Sequence, residues 1–219
     1  MSIKTKASIA ALVGALALAG AACGDNNSSD SNASGTASQS GGNKVTAIPS
    51  LTGQGTSVKI DAGTADALKS LGVALAPIGS ATFDASTSTI TFPITSGYAE
   101  IHSDPAVKPG YIQGSIAHQD SGFSLSAGST KVELSDFVVD PGNSVLYGTV
   151  GGAPKVPLLS LDGTNVKVSM EGSDVVLQGT VAKLTDTAAS ALNKAFNVNA
   201  LKAGIPLGTV RLVAASSAS

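Results

Sequence analysis

The chain has 219 residues, of which 42% are hydrophobic, 13% are charged and 4% are aromatic, and it has no tryptophan. Its formal net charge of −2 at pH 7 excludes a surface built to bind nucleic acid or anionic lipid. Because the chain has a single cysteine, a disulfide framework is excluded, and core packing must stabilise the fold.

The first segment has the pattern of an export signal. Lys4 and Lys6 form a basic start, the stretch from Ile9 to Ala19 is apolar, and small residues precede Cys23. The apolar run is shorter than the ~20 residues that a membrane-spanning helix needs. We therefore predict a signal peptide over residues 1–22, not a transmembrane anchor.

This segment resembles the signal of bacterial lipoproteins, in which the cysteine becomes the lipid-modified first residue of the mature chain. The resemblance implies that Cys23 carries two or three acyl chains, palmitate among them, which are enough for stable anchoring. We expect the protein to be held at the cell membrane, on its extracytoplasmic face. An ordinary secretory signal with a nearby cleavage site is the alternative.

The composition divides the rest of the chain into three parts. Residues 23–50 are rich in Ser, Asn and Gly and show no regular hydrophobic period, which predicts a disordered tether. Residues 51–213 are rich in Val, Ile, Thr, Ser and Gly with frequent turn residues, which is typical of a single all-β domain. Residues 214–219 are expected to be a flexible tail.

Two short helices are predicted. The first begins after Asp61 and ends at Gly72. The second runs from Asp186 to Phe196, with Thr185 as its N-cap and Asn197 as a left-handed C-terminal residue. Both helices follow a lysine and an aliphatic residue, and Gly79 to Phe83 resembles Gly208 to Leu212. The two segments therefore resemble one unit of strand, helix and strand that is used twice. Chance similarity of two Ala-rich helices is the alternative.

Alternating apolar and polar residues predict the strands of the domain. They are residues 88–92, 98–102, 111–118, 122–125, 130–134, 145–150, 156–161, 166–170, 174–181 and 207–213. We expect a mainly β fold, an antiparallel β-sandwich with two short helices capping its ends. Small inward residues favour close sheets and a filled core.

Several of these strands resemble those of the HtaA-type domain of actinobacterial surface proteins. The matching segments are Gly114 to His118, Gly122 to Leu125, Val132 to Asp136, Leu146 to Val150, and the closing stretch from Leu184 to Phe196. The resemblance covers roughly Ser80 to Val213. It implies a β domain associated with haem capture at the cell envelope.

In that family a tyrosine ligates the iron and a histidine supports it. His118 falls on the Gly-His segment of the family, whereas the matching N-terminal stretch from Ser57 to Gly79 contains no tyrosine. The candidate haem-binding residues are therefore His118, Tyr98 and Tyr111. Counting along the strand places His118 on the apolar face with Ile112 and Ile116, where a hydrogen-bonded core histidine is the competing interpretation.

No catalytic motif is present. The sequence has no Gly-x-Ser-x-Gly elbow, and it has no cluster of His, Cys and Asp with the spacing of zinc ligands. We predict a protein that is not an enzyme and has no cofactor except a candidate haem. It would act as a binding or structural module of the cell envelope, with an envelope protein or an apolar small ligand as its partner; an HtaA-like haem-binding protein or a lipid carrier is the alternative.

Overall fold

The computed structural model describes residues 45–104 and 111–216, which hold 13 strands and two helices. The strands are β1 (Val45–Ile48), β2 (Leu51–Ile60), β3 (Ala74–Gly79), β4 (Thr82–Asp84), β5 (Thr89–Ile94), β6 (Ser96–His102), β7 (Ile112–Ala127), β8 (Thr130–Asp140), β9 (Val145–Val150), β10 (Ala153–Asp162), β11 (Lys167–Glu171), β12 (Asp174–Leu184) and β13 (Pro206–Ser216). The helices are α1 (Ala62–Ser70) and α2 (Asp186–Phe196). The predicted signal peptide, Cys23 and most of the predicted tether lie outside the described residues.

The strands form one antiparallel sheet. Its order is β1-β6-β7-β8-β9-β10-β12-β13-β2-β5-β4, with β11 paired to β12 and β3 paired to β7 beside this path. A hydrogen bond joins Thr56 in β2 to His118 in β7, two strands that are far apart in this order. The sheet therefore curls until its two halves face each other, which confirms the predicted antiparallel β-sandwich.

The longest strand, β7, combines two predicted strands. The pairing of β7 with β8 shifts register between His118 and Gly122, as in a β-bulge. Asp120 lies inside this irregularity in a left-handed conformation with φ of 53°. The polar residues that suggested a turn between two strands form a bulge within one strand instead, and His118 lies directly before it.

The second helix agrees with its prediction. Its N-cap Thr185 accepts a hydrogen bond from the amide of Ala188 at 3.1 Å, and Asn197 is left-handed with φ of 52°. The apolar stripe of α2 is buried at Ala188, Ala189 and Leu192. The first helix is attached less firmly, because its N-cap Asp61 makes no side-chain capping bond and none of its residues is buried.

Both helices leave the same end of the sheet. The strands β2 and β12 flank β13, and Ile60 and Ala182 both pair with Gly208. Since both strands run antiparallel to β13, the chain passes from each of them into its helix at one level. The two predicted capping helices are therefore present, and both lie at one end of the sheet.

The predicted repeat holds only for its first half. Each copy consists of a strand followed by a helix, β2 with α1 and β12 with α2. The final match fails, because Gly79 to Phe83 run from the end of β3 through a turn into β4, whereas Gly208 to Leu212 lie within β13. The similarity therefore ends with the helices.

The domain extends beyond both predicted boundaries. Strand β1 (Val45–Ile48) lies inside the predicted tether and pairs with β6. Ile48 is 4% exposed and belongs to the core. At the other end β13 continues to Ser216, past Val213, with Ala214 completely buried. Small or isolated apolar residues at the two ends gave too weak an alternation to identify these strands.

Two hydrophobic clusters form the core. One includes the helix side chains and the phenylalanines of β5 and β8, and its buried members are Ala81, Ile90, Phe92, Leu125, Leu134, Phe137, Leu158, Leu184, Ala188, Ala189 and Leu192. The other lies in the remaining part of the sandwich and consists of Ile48, Leu51, Ile94, Ala99, Ile116, Val139, Val175, Leu212 and Ala214. Side chains of both clusters line the space between the two halves of the sheet.

Candidate ligand-binding cavity

A cavity of about 960 Å³ lies inside the curled sheet. This volume is at the upper end of the range of small-molecule sites, roughly 300–1,000 Å³. Its walls are mostly Val, Leu, Ile, Ala and Phe side chains, and these line the space between the two halves instead of filling it. The prediction of a filled core is therefore wrong.

His118 lies in the wall of this cavity and is 1% exposed. The face predicted for it is confirmed, since Ile112 and Ile116 of the same strand are also buried and also line the cavity. Its Nε2 atom lies 2.7 Å from the hydroxyl oxygen of Thr56, and its Nδ1 atom lies 3.4 Å from the carbonyl oxygen of Phe137. The buried imidazole of His118 and the buried hydroxyl of Thr56 are therefore hydrogen-bonded to each other across the sandwich.

These two contacts define the tautomer of the imidazole. The carbonyl oxygen of Phe137 can only accept a hydrogen bond, so Nδ1 carries the proton and donates it. Nε2 then carries the lone pair and accepts a hydrogen bond from the hydroxyl of Thr56. A histidine that ligates a metal has the same arrangement, with one nitrogen donating to a backbone carbonyl and the other available to the metal.

Burial also determines the charge of His118. Desolvation lowers its pKa to about 4 from the usual 6.5, and the hydrogen bond to Phe137 opposes the shift only in part. The imidazole is therefore neutral at physiological pH, the form in which it can bind a metal ion.

Three phenylalanines form an aromatic cluster that meets the histidine through Phe92. Phe92 presents its edge to the imidazole with a centroid distance of 6.4 Å, and it packs edge-on against Phe137 at 5.1 Å. Phe123 contacts the rings of Phe92 and Phe137. The imidazole thus lies at the border of an aromatic cluster, which adds apolar surface beside it.

The two candidate tyrosines lie in different environments. Tyr111 lines the cavity next to Ile112, and burial raises the pKa of its phenol. Alternation along β7 would place Tyr111 on the face opposite to that of His118. Tyr111 precedes the first residue of β7, however, so the alternation of the strand does not determine where its side chain lies. Tyr98 is 51% exposed and is not part of the cavity wall. The structure therefore brings His118 and Tyr111 to one cavity and leaves Tyr98 outside it.

The charged groups in the described part of the cavity wall are both carboxylates. Asp61 precedes α1, and Asp162 ends β10. The ammonium group of Lys183 lies 2.7 Å from the Asp162 carboxylate, and its hydrogen bond, together with that of Thr164, lowers the pKa of this carboxyl. No Lys or Arg in the described ranges lines the cavity.

The described residues show neither a metal cluster nor a membrane-spanning helix. Residues 45–104 and 111–216 contain no group of three His, Cys, Asp or Glu residues that could hold a metal ion. No described helix combines the length and apolar character needed to cross a membrane. His102, the other histidine of the chain, is half-buried at the end of β6.

Sequence reasoning missed Thr56 completely. It is 3% exposed and supplies the only side chain described as hydrogen-bonded to His118. A threonine in an alternating strand is usually read as a polar residue on the solvent side. The alternation of side chains along β2 could have identified it, because Thr56 lies two residues before Val58 and shares its inward face.

Comparisons with known proteins agree with the fold. No protein-family model and no curated protein matches the chain. Among solved structures, the C-terminal domain of HtaA from Corynebacterium glutamicum is similar with a TM-score of 0.50 and 12% identity, over 75% of this chain and 98% of that domain. The heme binding protein HtaB from the same organism has a TM-score of 0.47 and 10% identity, over 78% of this chain and 96% of its own. The described chain thus has a fold distantly similar to that of the HtaA C-terminal domain, which confirms the resemblance predicted from its strands.

Proposed function

We propose that this protein is a non-catalytic carrier that holds a large apolar ligand inside its sandwich, and that the ligand is haem. The observation that carries this proposal is a neutral imidazole, 1% exposed, in the wall of an apolar cavity of about 960 Å³. The family resemblance of the strand series, which implies haem capture, supports the same ligand.

The chemistry of the donor set fits haem. A haem site needs an apolar slot and an axial ligand, and neutral imidazole or phenolate can serve as that ligand. His118 has its Nε2 lone pair directed into the sandwich and its Nδ1 held by a backbone carbonyl. When bound, haem would supply an iron centre for this lone pair. The Thr56 hydroxyl would then have to give up its hydrogen bond to Nε2.

Tyr111 is the second residue that could hold the ligand. Its phenol lines the same cavity, and its raised pKa keeps it protonated at physiological pH, so it would donate a hydrogen bond more readily than it would ligate as phenolate. His118 would therefore be the residue that holds the iron of a bound haem, and Tyr111 would donate a hydrogen bond to the ligand. Tyr98, outside the cavity wall, takes no part in this proposal.

A membrane tether at Cys23 completes the proposal. A carrier that accepts a poorly soluble ligand gains from being held at the membrane surface, and two or more acyl chains on one cysteine provide stable anchoring. We expect labelled palmitate to be incorporated into the protein in its host and Cys23→Ser to abolish the label. Incorporation that survives Cys23→Ser would contradict the tether.

Hemin titration of the purified protein tests the ligand. We expect a Soret band that shifts and saturates at one equivalent, is lost or displaced in His118→Ala, and is altered less in Tyr111→Phe. Tyr98→Phe is the matched control, since it removes a phenol outside the cavity wall, and its spectrum should equal that of the native protein. An unsaturable spectrum that is the same in all four proteins would refute haem binding.

A neutral lipid is the second candidate ligand. The charged groups in the described cavity wall are the carboxylates Asp61 and Asp162, and no Lys or Arg of the described residues lines it. The wall therefore offers no cation to pair with the propionates of haem or the carboxylate of a fatty acid, which favours an uncharged lipid. Mass spectrometry of the native protein, released from its host membrane and then denatured, distinguishes the two. An uncharged lipid at one equivalent would replace haem in the proposal.

A further inference from the structure

Strand β11 (Lys167–Glu171) is an edge strand. Among the described strands only β12 pairs with it, and all five of its residues are exposed. It lies opposite the first half of β12, whereas α2 follows the other end of that strand. The edge is therefore remote from the helices at the cavity.

This edge has few of the features that usually protect a free strand. Edge strands are commonly blocked by proline, by a bulge or by several lysines. The pairing of β11 with β12 is regular over all five residues, without a register shift, and the strand contains no proline and only one lysine, Lys167. Val168 is 39% exposed and Met170 is 60% exposed on the same strand. Such an edge favours pairing with another strand.

Two copies of β11 that pair antiparallel would place complementary residues opposite each other. If two copies pair antiparallel about Ser169, Lys167 of one copy lies opposite Glu171 of the other, and Val168 lies opposite Met170. The two-fold axis repeats each pair, so the register has two opposite-charge pairs and two apolar pairs. A shift to another register separates Lys167 from Glu171.

The carboxylate of Glu171 is already fixed at this edge. Arg211 of β13 donates to both of its oxygens at 2.8 Å, which holds the side chain on the outer surface of the sheet. A carboxylate between two cations, Arg211 of its own chain and Lys167 of a second copy, gains from both. Because β12 lies between β11 and β13, this contact directs the Glu171 side chain over its own sheet, and Lys167 of a second copy would have to reach the carboxylate from the free edge.

We propose that β11 is the contact of a symmetric homodimer, in which the two edge strands pair antiparallel about Ser169 and join two sheets into one. The partner is a second copy of this chain. The paired strands are short, so the interface is small and the dimer forms reversibly with concentration. The contact leaves α1 and α2 uncovered.

Charge exchange tests this contact. The chain carrying Cys23→Ser, which cannot associate through acyl groups, is studied by sedimentation velocity over a wide range of concentration. We expect a monomer-dimer equilibrium, and we expect Lys167→Glu and Glu171→Lys each to weaken it by about tenfold or more, because each variant places like charges opposite each other twice. Lys131→Glu, a substitution of an exposed lysine on β8, is the control and should leave the equilibrium unchanged.

Mixing the two single variants is the decisive measurement. Lys167→Glu in one copy and Glu171→Lys in the other restore both opposite-charge pairs, so the mixture should dimerise more tightly than either variant alone. Circular dichroism of each variant verifies folding, and Lys167→Glu serves alone if loss of the Arg211 contact unfolds Glu171→Lys. A native protein that stays monomeric at every concentration, or a mixture that stays monomeric with both variants folded, would overturn the proposal.

Discussion

His118 and Thr56 form a hydrogen-bonded pair of 2.7 Å across the interior of the sandwich, although they are 62 residues apart in the chain. Both are almost completely buried, and the histidine also donates to the backbone of Phe137. The pair joins the two halves of the sheet inside a cavity that is otherwise mostly apolar. It therefore links the stability of the fold to the chemistry of the candidate site.

The first prediction concerns acid pH. The pKa of His118 is about 4 in the folded protein and 6.5 in the unfolded chain, so the unfolded state binds more protons between these values. The contribution of His118 to stability should be fully present above pH 6.5 and fall as the pH drops to 4, with a loss of about 3 kcal/mol over that window. Urea unfolding as a function of pH measures this loss.

His118→Gln should remove that contribution to the pH dependence, because glutamine does not titrate. His102→Gln is the matched control, since it changes the other histidine of the chain, and its stability should still fall between pH 6.5 and 4. If the two variants show the same pH dependence, the assignment of the effect to His118 is incorrect.

The second prediction concerns Thr56→Val. Valine keeps the shape of threonine but removes the hydroxyl donor, which leaves the Nε2 lone pair of His118 buried without its partner. We expect a loss of about 1–3 kcal/mol in the free energy of unfolding. If His118 ligates iron through Nε2, the variant should bind hemin more tightly, because no hydrogen bond must then be broken.

Ser57→Ala is the control for this change. It removes the neighbouring hydroxyl, which bonds to Thr91 at 2.9 Å and is only partly buried, so the cost should be smaller and hemin affinity should not change. Equal hemin affinity in Thr56→Val and the native protein would argue against ligation through Nε2.

Local patterns predicted part of this structure well. The bounds of α2, its N-cap Thr185, its left-handed Asn197 and the inward face of His118 all depend on residues close in sequence, for which periodicity and capping preferences are informative. The family resemblance of the strand series also predicted the fold class.

Features that depend on the curl of the sheet were not accessible in this way. The partner of His118 is on a strand distant in the sheet, and the cavity arises because the two halves remain apart, which no window of sequence encodes. The position of both helices at one end follows from the pairing of β2 and β12 with β13, a long-range register that alternation cannot define.

The third prediction compares the two helices. The N-cap Thr185 accepts from the amide of Ala188 and also donates to the carbonyl of Pro157 at 2.7 Å, whereas Asp61 makes no side-chain capping bond. Thr185→Ala should therefore cost about 1–2 kcal/mol, and Asp61→Ala should change stability by less than about 0.5 kcal/mol.

Hydrogen exchange measures the same difference without substitution. Since α1 has no buried residue and α2 has three, the amides of α1 should exchange through local opening well before those of α2. Because α1 also lines the cavity, a bound ligand should slow exchange in α1 more than in α2. Equal protection of the two helices in the free protein would contradict the prediction.

The last prediction concerns Gly79, which supports the bulge beside His118. Gly79 has φ of +62°, and a Cβ atom there would collide with the carbonyl of Asp120. Gly128, in the turn between β7 and β8, has nearly the same φ of +57° with open space around it. Gly128→Ala should cost about 1 kcal/mol, the penalty of the left-handed conformation alone. Gly79→Ala should cost about 3 kcal/mol or more, since the backbone of the bulge must also move.

Because the bulge begins at His118, Gly79→Ala should in addition alter the pH dependence of stability, which Gly128→Ala should preserve. Equal unfolding free energies of the two variants in urea would show that Asp120 moves freely and that the bulge does not hold His118 in place.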